Sequence, residues 1–296
     1  MAAPSRIQIA KPDILRHFDG LPARIFKPAD LASILVEQRG FWRLAQSTTT
    51  DTFIDFLVRT GRLKAYHFNF PSRQLDLYTW GHAPLLEILL TLRPRSFLSH
   101  YTAVRVHGLT EQVPKNIYVT HEPAEISARR SSALTQQAID AAFQKPERIT
   151  QEVALLGESR ICMINGVGTD QLGVTDMQTL DDSGEGARVR VTTLERTLLD
   201  ITVRPGYAGG VAEVLQAFRE ARDKASANRL LAMLQRLGYV YPYHQALGFY
   251  LERAGYNATV LEAFREMPQP FRFYLTHGMG ETDYVPKWNL CIPRGL

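Results

Sequence analysis

The stretch from Ser47 to Trp80 constrains the fold most, and it reads STTTDTFIDFLVRTGRLKAYHFNFPSRQLDLYTW. Its first half predicts a helix, because its apolar residues recur at helical spacing, at Phe53, Ile54, Leu57 and Val58. Thr48 or Thr49 can cap this helix with its hydroxyl. Asp51 suits the positive end of the helix dipole. Gly61 is expected to end the helix.

The second half of the stretch predicts a β-hairpin. Period-two alternation places one set of side chains on a common side of the first strand: Tyr66, Phe68 and Phe70. Pro71, Ser72 and Arg73 supply a turn, because proline presets the backbone angle at its second position. The return strand alternates again, at Leu75, Leu77 and Thr79.

Two further helices are expected before this stretch. The segment KPDILRHF at 11–18 has proline in its first turn and Gly20 after it, and residues 27–38 begin with Lys27-Pro28 and end before Gly40. Three helices and a hairpin in about seventy residues are typical of a winged helix-turn-helix, whose third helix enters the major groove. His82-Ala83-Pro84 marks the predicted boundary. We therefore predict an α+β chain, with a winged helix-turn-helix at 1–82 and a larger mixed α+β domain at 83–296 in which helices are gathered late.

The basic charge of the chain lies in the first of these domains. Residues 1–82 hold 11 Lys and Arg against 7 Asp and Glu, whereas residues 83–296 hold 23 of each. A positive field on one small domain favours phosphate binding, because neutralised phosphates release counterions.

The winged-helix prediction names the residues that would contact DNA. Threonines at the start of the third helix would face base edges or phosphates, and basic side chains of the turn, helix and hairpin would contact the backbone. The full set is Arg43, Thr48, Thr49, Thr50, Thr52, Arg59, Arg62, Lys64, His67 and Arg73. Two other interpretations stay open, since such threonines are often only helix caps and winged helices also serve as protein contacts.

Composition favours a cytoplasmic protein without membrane contact. No run of about eighteen apolar residues is present, and the N-terminal segment lacks the hydrophobic stretch of a secretory signal. Cys162 and Cys291 are the two cysteines of the sequence. They form no CxxC pair, so we expect two buried thiols rather than a disulfide or a zinc site.

The larger domain is expected to mix both element types. Leu85–Leu92 predicts an apolar helix, Ser99 is expected to cap a short helix that Gly108 ends, and Asp181–Gly186 is expected to be a turn. The predicted strands are 115–121, 160–165, 172–175, 187–191 and 271–276. The other predicted helices are 133–143, 211–222, one that Ser226 caps, and 242–251.

Two segments of this domain resemble a known family. The run FLSHYTAVRVHGLTEQVPKNIYV (97–119) and the run VRVTTLERTLLDITVRPGYAGG (189–210) are similar to the AbiEi family of type IV toxin-antitoxin antitoxins. The resemblance implies that the winged helix binds double-stranded DNA at repeats in its own promoter, with possible oligomers on the DNA. It also implies that the C-terminal domain counteracts a cognate nucleotidyltransferase toxin, directly or indirectly.

The second segment has a physical interpretation of its own. Thr192 and Glu195 have the spacing of a capping box, T-x-x-E, at a helix start. Arg196 and Asp200 are four residues apart, so they are expected to pair along the helix surface. Both features are folding devices, and neither supplies the second acid or metal partner that catalysis usually requires.

We find no catalytic constellation and expect no enzyme activity, cofactor or metal. The Gly166-Val167-Gly168 run lacks the third glycine of a dinucleotide site. His100 and His107 lie two helical turns apart, too far to share a metal easily. The segment 281–287, ETDYVPK, holds the residue types of a Mg²⁺-dependent nuclease, but Pro286 would break the strand on which such sites are built.

Three functions remain as hypotheses. The first is an antitoxin that binds DNA and represses its own operon. The second is a ligand-responsive or dimerising transcriptional regulator without a toxin, and the third is the nuclease.

Overall fold

The computed structural model describes residues 5–125, 134–180 and 184–296. The N-terminal elements are Arg6–Ile9 (α1), Lys11–Gly20 (α2), Ile25–Phe26 (β1), Pro28–Gln38 (α3), Thr50–Arg59 (α4), Leu63–Phe70 (β2) and Arg73–Trp80 (β3). The middle elements are Leu85–Leu90 (α5), Ser96–Leu98 (β4), His100–Val106 (α6), Asn116–His121 (β5), Gln136–Phe143 (α7), Val153–Leu156 (β6), Ser159–Asn165 (β7), Val174–Leu180 (β8) and Gly186–Thr192 (β9).

The C-terminal elements are Leu194–Val203 (α8), the 3₁₀ helix Pro205–Ala208, Val211–Ala221 (α9), Ala227–Leu237 (α10), Tyr243–Arg253 (α11), Ala258–Arg265 (α12), Phe273–Tyr274 (β10), Thr282–Val285 (β11), the 3₁₀ helix Pro286–Trp288 and Leu290–Pro293 (β12). The fold is mixed α+β, as predicted. The residue Ala133 of one predicted helix and residues 181–183 of the predicted turn lie outside the described residues.

Within the described ranges, the strands form three sheets. The first has the order β1-β3-β2, the second β6-β7-β5-β4-β9-β8 and the third β10-β12-β11. The second sheet is mixed, because β5 pairs with β7 and β4 with β9 in parallel while its other neighbours are antiparallel.

The β2–β3 hairpin is buried on both faces, over different parts of its length. Near its base, Leu63 lies opposite Trp80 and Ala65 opposite Tyr78. These side chains pack with α2, α3 and α4 in what we term the N-terminal core. Toward the turn the other face carries Phe68, Phe70 and Leu77, which pack against the six-stranded sheet in what we term the middle core. Because side chains alternate between faces, the same two strands contribute side chains to both cores.

The six-stranded sheet is likewise covered on both faces. Val119 of β5 and Ile161 of β7 face the middle core, where α5 also packs. Their neighbours Tyr118 and Cys162 face what we term the helical core, which α6 and α8 to α12 fill. Both Cys162 and Cys291 are buried free thiols, as predicted.

A buried charge cluster holds α8 against the sheet. Arg196 Nε donates to Asp200 Oδ1 at 2.7 Å, and its Nη1 donates to the carbonyl of Leu172 at 2.6 Å. Glu122 lies 3.7 Å from Arg196 Nη2 and accepts hydrogen bonds from the backbone N–H groups of Thr169 and Gln171. Burial raises the pKa of Asp200, although Arg196 acts in the opposite direction. The predicted pair forms, but its side chains are only 8% and 9% exposed, so its placement on the helix surface was wrong.

The capping box predicted at Thr192 and Glu195 was also wrong. The residue that caps α8 is Thr193, whose hydroxyl accepts the N–H of Arg196, while Thr192 bonds instead to Thr197. Glu195 reaches away from the helix start to accept the N–H of Ser226. Ser99 is the N-cap residue of α6, as predicted, but its hydroxyl bonds to Thr120 and His100 rather than to a backbone N–H of the helix. Glu195 and Ser99 thus bond to partners that are more than twenty residues away in sequence, whereas Thr192 bonds to a residue of α8.

The strand boundaries moved for similar reasons. The strand predicted at 172–175 is Val174–Leu180, and the one predicted at 271–276 shortens to Phe273–Tyr274 beside β12. Trp288, which is fully buried, packs against α11 at Gly248. A Cβ atom at Gly248 would lie 2.1 Å from the Trp288 ring, so only glycine fits there.

We expect Arg196→Leu to destabilise the protein by about 3–5 kcal/mol, because it leaves Asp200 and Glu122 buried without their cation. Urea unfolding at neutral pH measures this change. Arg219→Leu is the matched control, since Arg219 is an exposed arginine on α9, and it should stay within about 0.5 kcal/mol of wild type. Equal effects of both variants would show that the cluster contributes nothing.

Candidate nucleic-acid interface and the buried polar cluster

The turn between α3 and α4 is held by an arginine that sequence reasoning missed. Arg39 Nη1 donates to the carbonyl of Ala45 at 2.6 Å, and its Nη2 donates to the carbonyl of Thr48 at 2.9 Å. Trp42 and Leu44 are buried and anchor the same turn in the N-terminal core. No local sequence signal predicts this contact, because the two carbonyls lie in the turn after α3 and not in the last turn of the helix.

The threonines at the start of α4 divide between capping and exposure. Thr49 is the N-cap, as predicted, and its hydroxyl accepts the N–H of Thr52 at 3.2 Å. The hydroxyl of Thr52 accepts the N–H of Thr49 in return, also at 3.2 Å. Thr48 and Thr50 are half-buried. Thr50 is therefore the threonine of the set whose side chain is neither in the cap nor beside the Arg39 contacts.

The exposed face of α4 carries both charge signs. Its exposed residues are Asp51, Thr52, Asp55, Val58 and Arg59. Arg43, in the preceding turn, is also exposed and has a φ of 52°. The predicted cations Arg43 and Arg59 therefore flank a helix face that includes two carboxylates.

The predicted contact residues of the hairpin lie on two different faces. His67 lies opposite Asp76, and its Nδ1 is 2.8 Å from Asp76 Oδ1. This pair continues the hairpin face that packs on the helices. Lys64 points to the other face, where it lines a shallow recess with Arg24 and Arg62 near the hairpin base.

Arg62 is engaged by an acid from α2. Its Nη1 donates to both oxygens of Asp19 at 2.8 and 2.9 Å, and Asp19 Oδ1 also accepts the indole N–H of Trp80 at 2.8 Å. The Trp80 hydrogen bond and the charge of Arg62 hold the pKa of Asp19 below its ordinary value. Arg62 thus ties the hairpin base to α2.

Arg73, at the hairpin turn, is half-buried against the middle of the chain. The neighbouring Ser72 donates to Glu152 at 2.6 Å. Burial lowers the pKa of Arg93, and the positive charge of Arg73 lowers it further. The structure therefore brings Arg43, the threonines and Arg59 together around α4, and it places Arg62, Lys64 and Arg73 on other surfaces.

A second polar cluster lies where segments 97–119 and 189–210 meet. The hydroxyl of Ser99 lies 2.7 Å from Thr120 Oγ1 and 2.9 Å from His100 Nδ1. His107 Nε2 lies 2.7 Å from the carbonyl of Thr192, which joins α6 to the start of α8. His100 is 7% exposed and has a φ of 50°, a strained conformation for a residue with a side chain. Burial, with Arg204 and Arg196 nearby, lowers the pKa of His100 to about 3.

The carboxylates of segment 281–287, which holds the residue types of a nuclease site, form contacts within the fold. Glu281 pairs with Arg294 at 2.6 Å, and Asp283 accepts the N–H of Gly295. In residues 5–125, 134–180 and 184–296, no three His, Cys, Asp or Glu side chains are grouped so that they could hold a metal ion. Across the same described residues, no helix has both the length and the apolar character needed to span a membrane.

We expect Arg39→Met to destabilise the N-terminal core by about 1–3 kcal/mol, because two partly buried carbonyls lose their donors. Urea unfolding followed by tryptophan fluorescence reports on Trp42 and Trp80. Arg16→Met is the control, since Arg16 forms only an exposed pair with Asp13, and it should change stability by less than about 1 kcal/mol. A silent Arg39→Met variant would contradict this assignment.

The lowered pKa of His100 makes stability depend on pH. The folded-state pKa lies below the ordinary value of 6.5, so the contribution of His100 is complete above pH 6.5 and is lost as pH falls toward 3. Between pH 7 and pH 5, we expect the free energy of unfolding to fall by about 2 kcal/mol less in His100→Asn than in wild type. Asparagine is chosen because it tolerates a positive φ. Parallel urea titrations at the two pH values measure this difference, and identical pH profiles would refute it.

Comparisons with known proteins locate the fold. No family model matches the chain, and no match was found among curated proteins. A crystal structure of the RV2827C protein from Mycobacterium tuberculosis is similar, with a TM-score of 0.59, 17% sequence identity, and coverage of 98% of this chain and 93% of that chain. At this identity the similarity concerns the fold alone, and the chain therefore shares its α+β fold with that protein over almost its whole length.

Proposed function

We propose that residues 1–82 form a winged helix-turn-helix that binds double-stranded DNA, and that the protein is a cytoplasmic antitoxin that represses its own operon. The observation that carries this proposal is the surface around α4. A short helix begins at an exposed turn, exposes Thr52 and Arg59 on its outer side with Thr50 in its first turn, and has Arg43 beside it. A helix placed this way can enter the major groove while flanking cations contact phosphates.

The charge pattern of α4 suggests selectivity more than raw affinity. Asp51 and Asp55 repel phosphates, so they lower binding to every duplex. A carboxylate can also accept a hydrogen bond from the N4 amino group of cytosine in the major groove. Arg43 and Arg59 would then supply backbone contacts, and Thr50 would lie near base edges.

The antitoxin part of the proposal rests on segments 97–119 and 189–210, which resemble the AbiEi family. These segments lie next to each other in the fold, since His107 of the first contacts Thr192 of the second. The toxin would be a nucleotidyltransferase, counteracted directly or indirectly by the C-terminal domain. This function requires no enzyme activity of the chain itself.

The first test titrates the protein onto its own upstream DNA and an unrelated duplex at two salt concentrations. We expect tight, salt-dependent and sequence-selective binding. Arg43→Ala and Arg59→Ala should each weaken binding to both duplexes and reduce the salt slope by about 0.9 per lost phosphate contact. Arg16→Ala, an exposed arginine of α2, is the charge-matched control and should leave the slope unchanged.

Two further variants separate affinity from selectivity. Thr50→Val should relax the preference for the upstream DNA without a change in salt slope, and Asp55→Asn should strengthen binding to both duplexes. Absence of any preference for the upstream DNA would refute the operator function. The antitoxin function fails if co-expression with the neighbouring nucleotidyltransferase does not restore growth.

One observation favours the regulator without a toxin as a second candidate. A cavity of about 330 Å³ lies between the hairpin, α5 and α6. Its apolar lining includes Tyr66, Leu85, Leu86, Val106 and Ile117. A small apolar effector bound there would contact both the hairpin and the sheet. The neighbouring gene discriminates between the two candidates, because a nucleotidyltransferase beside this one favours the antitoxin.

A further inference from the structure

A second cavity, of about 330 Å³, opens on the other side of the six-stranded sheet. It lies where the β4–α6 turn, the end of β7 and the 3₁₀ helix Pro205–Ala208 meet. Its lining includes His100, Arg148, Ile149, Val167, Arg204 and Tyr207. None of these residues belongs to the α4 surface, so this cavity is separate from the proposed DNA interface.

The cavity holds positive charge that the protein itself does not neutralise. Arg204 Nη1 donates to the carbonyl of Arg148 at 2.6 Å, and its guanidinium lies 6.0 Å from the centre of the Tyr207 ring. In the described part of the chain, neither Arg148 nor Arg204 has a carboxylate within ion-pair distance. The one carboxyl group of the lining, Asp200, is already paired with Arg196.

One further acid, Glu147, interacts electrostatically with Arg204. Glu147 precedes Arg148, and its Oε2 accepts the N–H of Gly206 at 2.9 Å. Burial raises the pKa of Glu147, while the Gly206 hydrogen bond and the positive charge of Arg204 act in the opposite direction. Two guanidinium groups thus remain available to an anion, and guanidinium groups suit phosphate oxygens because they donate parallel hydrogen bonds.

His100 supplies a fixed polar group to the same cavity. Its Nδ1 contacts Ser99, and its ring meets the Tyr207 ring edge-on at 5.0 Å. Among the described residues, Nε2 has no hydrogen-bond partner. When the Ser99 hydroxyl donates to Nδ1, Nε2 carries the proton and can donate to a ligand oxygen. Backbone strain of the kind seen at His100 destabilises the fold locally and is typical of binding sites.

The mouth of the cavity is apolar. Ile149 is 57% exposed and Val167 is 53% exposed, and both line the opening. The rings of Tyr207 and His100 lie deeper. A ligand with an anionic group at one end and a flat group with apolar faces at the other end matches this arrangement of charged and apolar side chains.

We propose that this cavity binds a small phosphate ester with a flat aromatic group, of which a nucleoside monophosphate is the simplest form. Arg148 and Arg204 bind the phosphate, and His100 donates to one of its oxygens. Ile149 and Val167 pack on the faces of the aromatic group. The proposal goes beyond DNA binding and toxin neutralisation, and it does not depend on either.

The test is calorimetric titration of the full chain with AMP, adenosine, ribose 5-phosphate and inorganic phosphate. We expect AMP to bind at one site per chain, at least about tenfold more tightly than each of the other three, because it alone carries both recognised parts. Arg148→Gln is the main variant, since in the described residues the Arg148 side chain makes no hydrogen bond that folding would require. It should weaken AMP about tenfold and leave adenosine unchanged.

Two matched controls keep the result specific. Arg236→Gln removes an exposed arginine of α10, and Leu155→Ser removes an exposed apolar side chain of β6. Both should bind AMP as wild type does, whereas Ile149→Ser should weaken AMP and adenosine together. AMP binding no tighter than adenosine, or an equal loss in Arg236→Gln, would overturn the phosphate site. Inorganic phosphate binding as tightly as AMP would overturn the aromatic part, and absence of AMP binding would overturn the proposal as a whole.

Discussion

The packing of the β2–β3 hairpin into two cores is the constraint on which the rest of the structure depends. Near the base, Leu63 and Trp80 complete the core of the N-terminal helices, while Phe68 and Phe70 near the turn complete the core beneath the six-stranded sheet. An isolated hairpin is marginal in water, and burial on both faces stabilises this one. The hairpin cannot move relative to one core without disturbing the other. The C-terminal part therefore fixes the orientation of the hairpin relative to the N-terminal helices.

The buried charges of α8 act in a comparable way on the other side of the sheet. Arg196 bonds to Asp200 on its own helix and to the Leu172 carbonyl in the loop before β8, so one side chain positions two elements. Such pairs cost desolvation and add little net stability, but they penalise every arrangement in which a charge is left alone. The cluster sets the geometry next to His100 and the cavity lined by Arg148 and Arg204, and this geometry is what the proposed phosphate site requires.

The excess of basic residues in the N-terminal part does not form one uniformly positive surface. Asp19 engages Arg62, so part of the positive charge is neutralised within the fold. Asp51 and Asp55 weaken the field on α4 further. Binding to DNA would then depend on a few positioned contacts, and a net charge computed from sequence describes only the long-range attraction.

The sequence by itself determined the local elements of the N-terminal part. The helix at Thr50–Arg59, its Thr49 cap and the two strands of the hairpin followed from apolar spacing and turn residues, because these signals act over a few residues. Sequence also placed the cysteines in the interior and paired Arg196 with Asp200. The contact residues at the predicted DNA interface stay a prediction, although the structure shows which of them lie around α4.

Only the tertiary structure decided where side chains with several possible partners would bond. Glu195 bonded to Ser226 rather than within the predicted capping box, the Ser99 hydroxyl bonded to the side chains of Thr120 and His100 rather than to a backbone N–H of its helix, and Ser72 bonded to Glu152. Arg39 holds the α3–α4 turn through hydrogen bonds. His100 lies near Arg204, which is about one hundred residues away in sequence. These outcomes depend on which elements pack together, because a polar side chain that becomes buried must bond to whatever partner the fold brings to it.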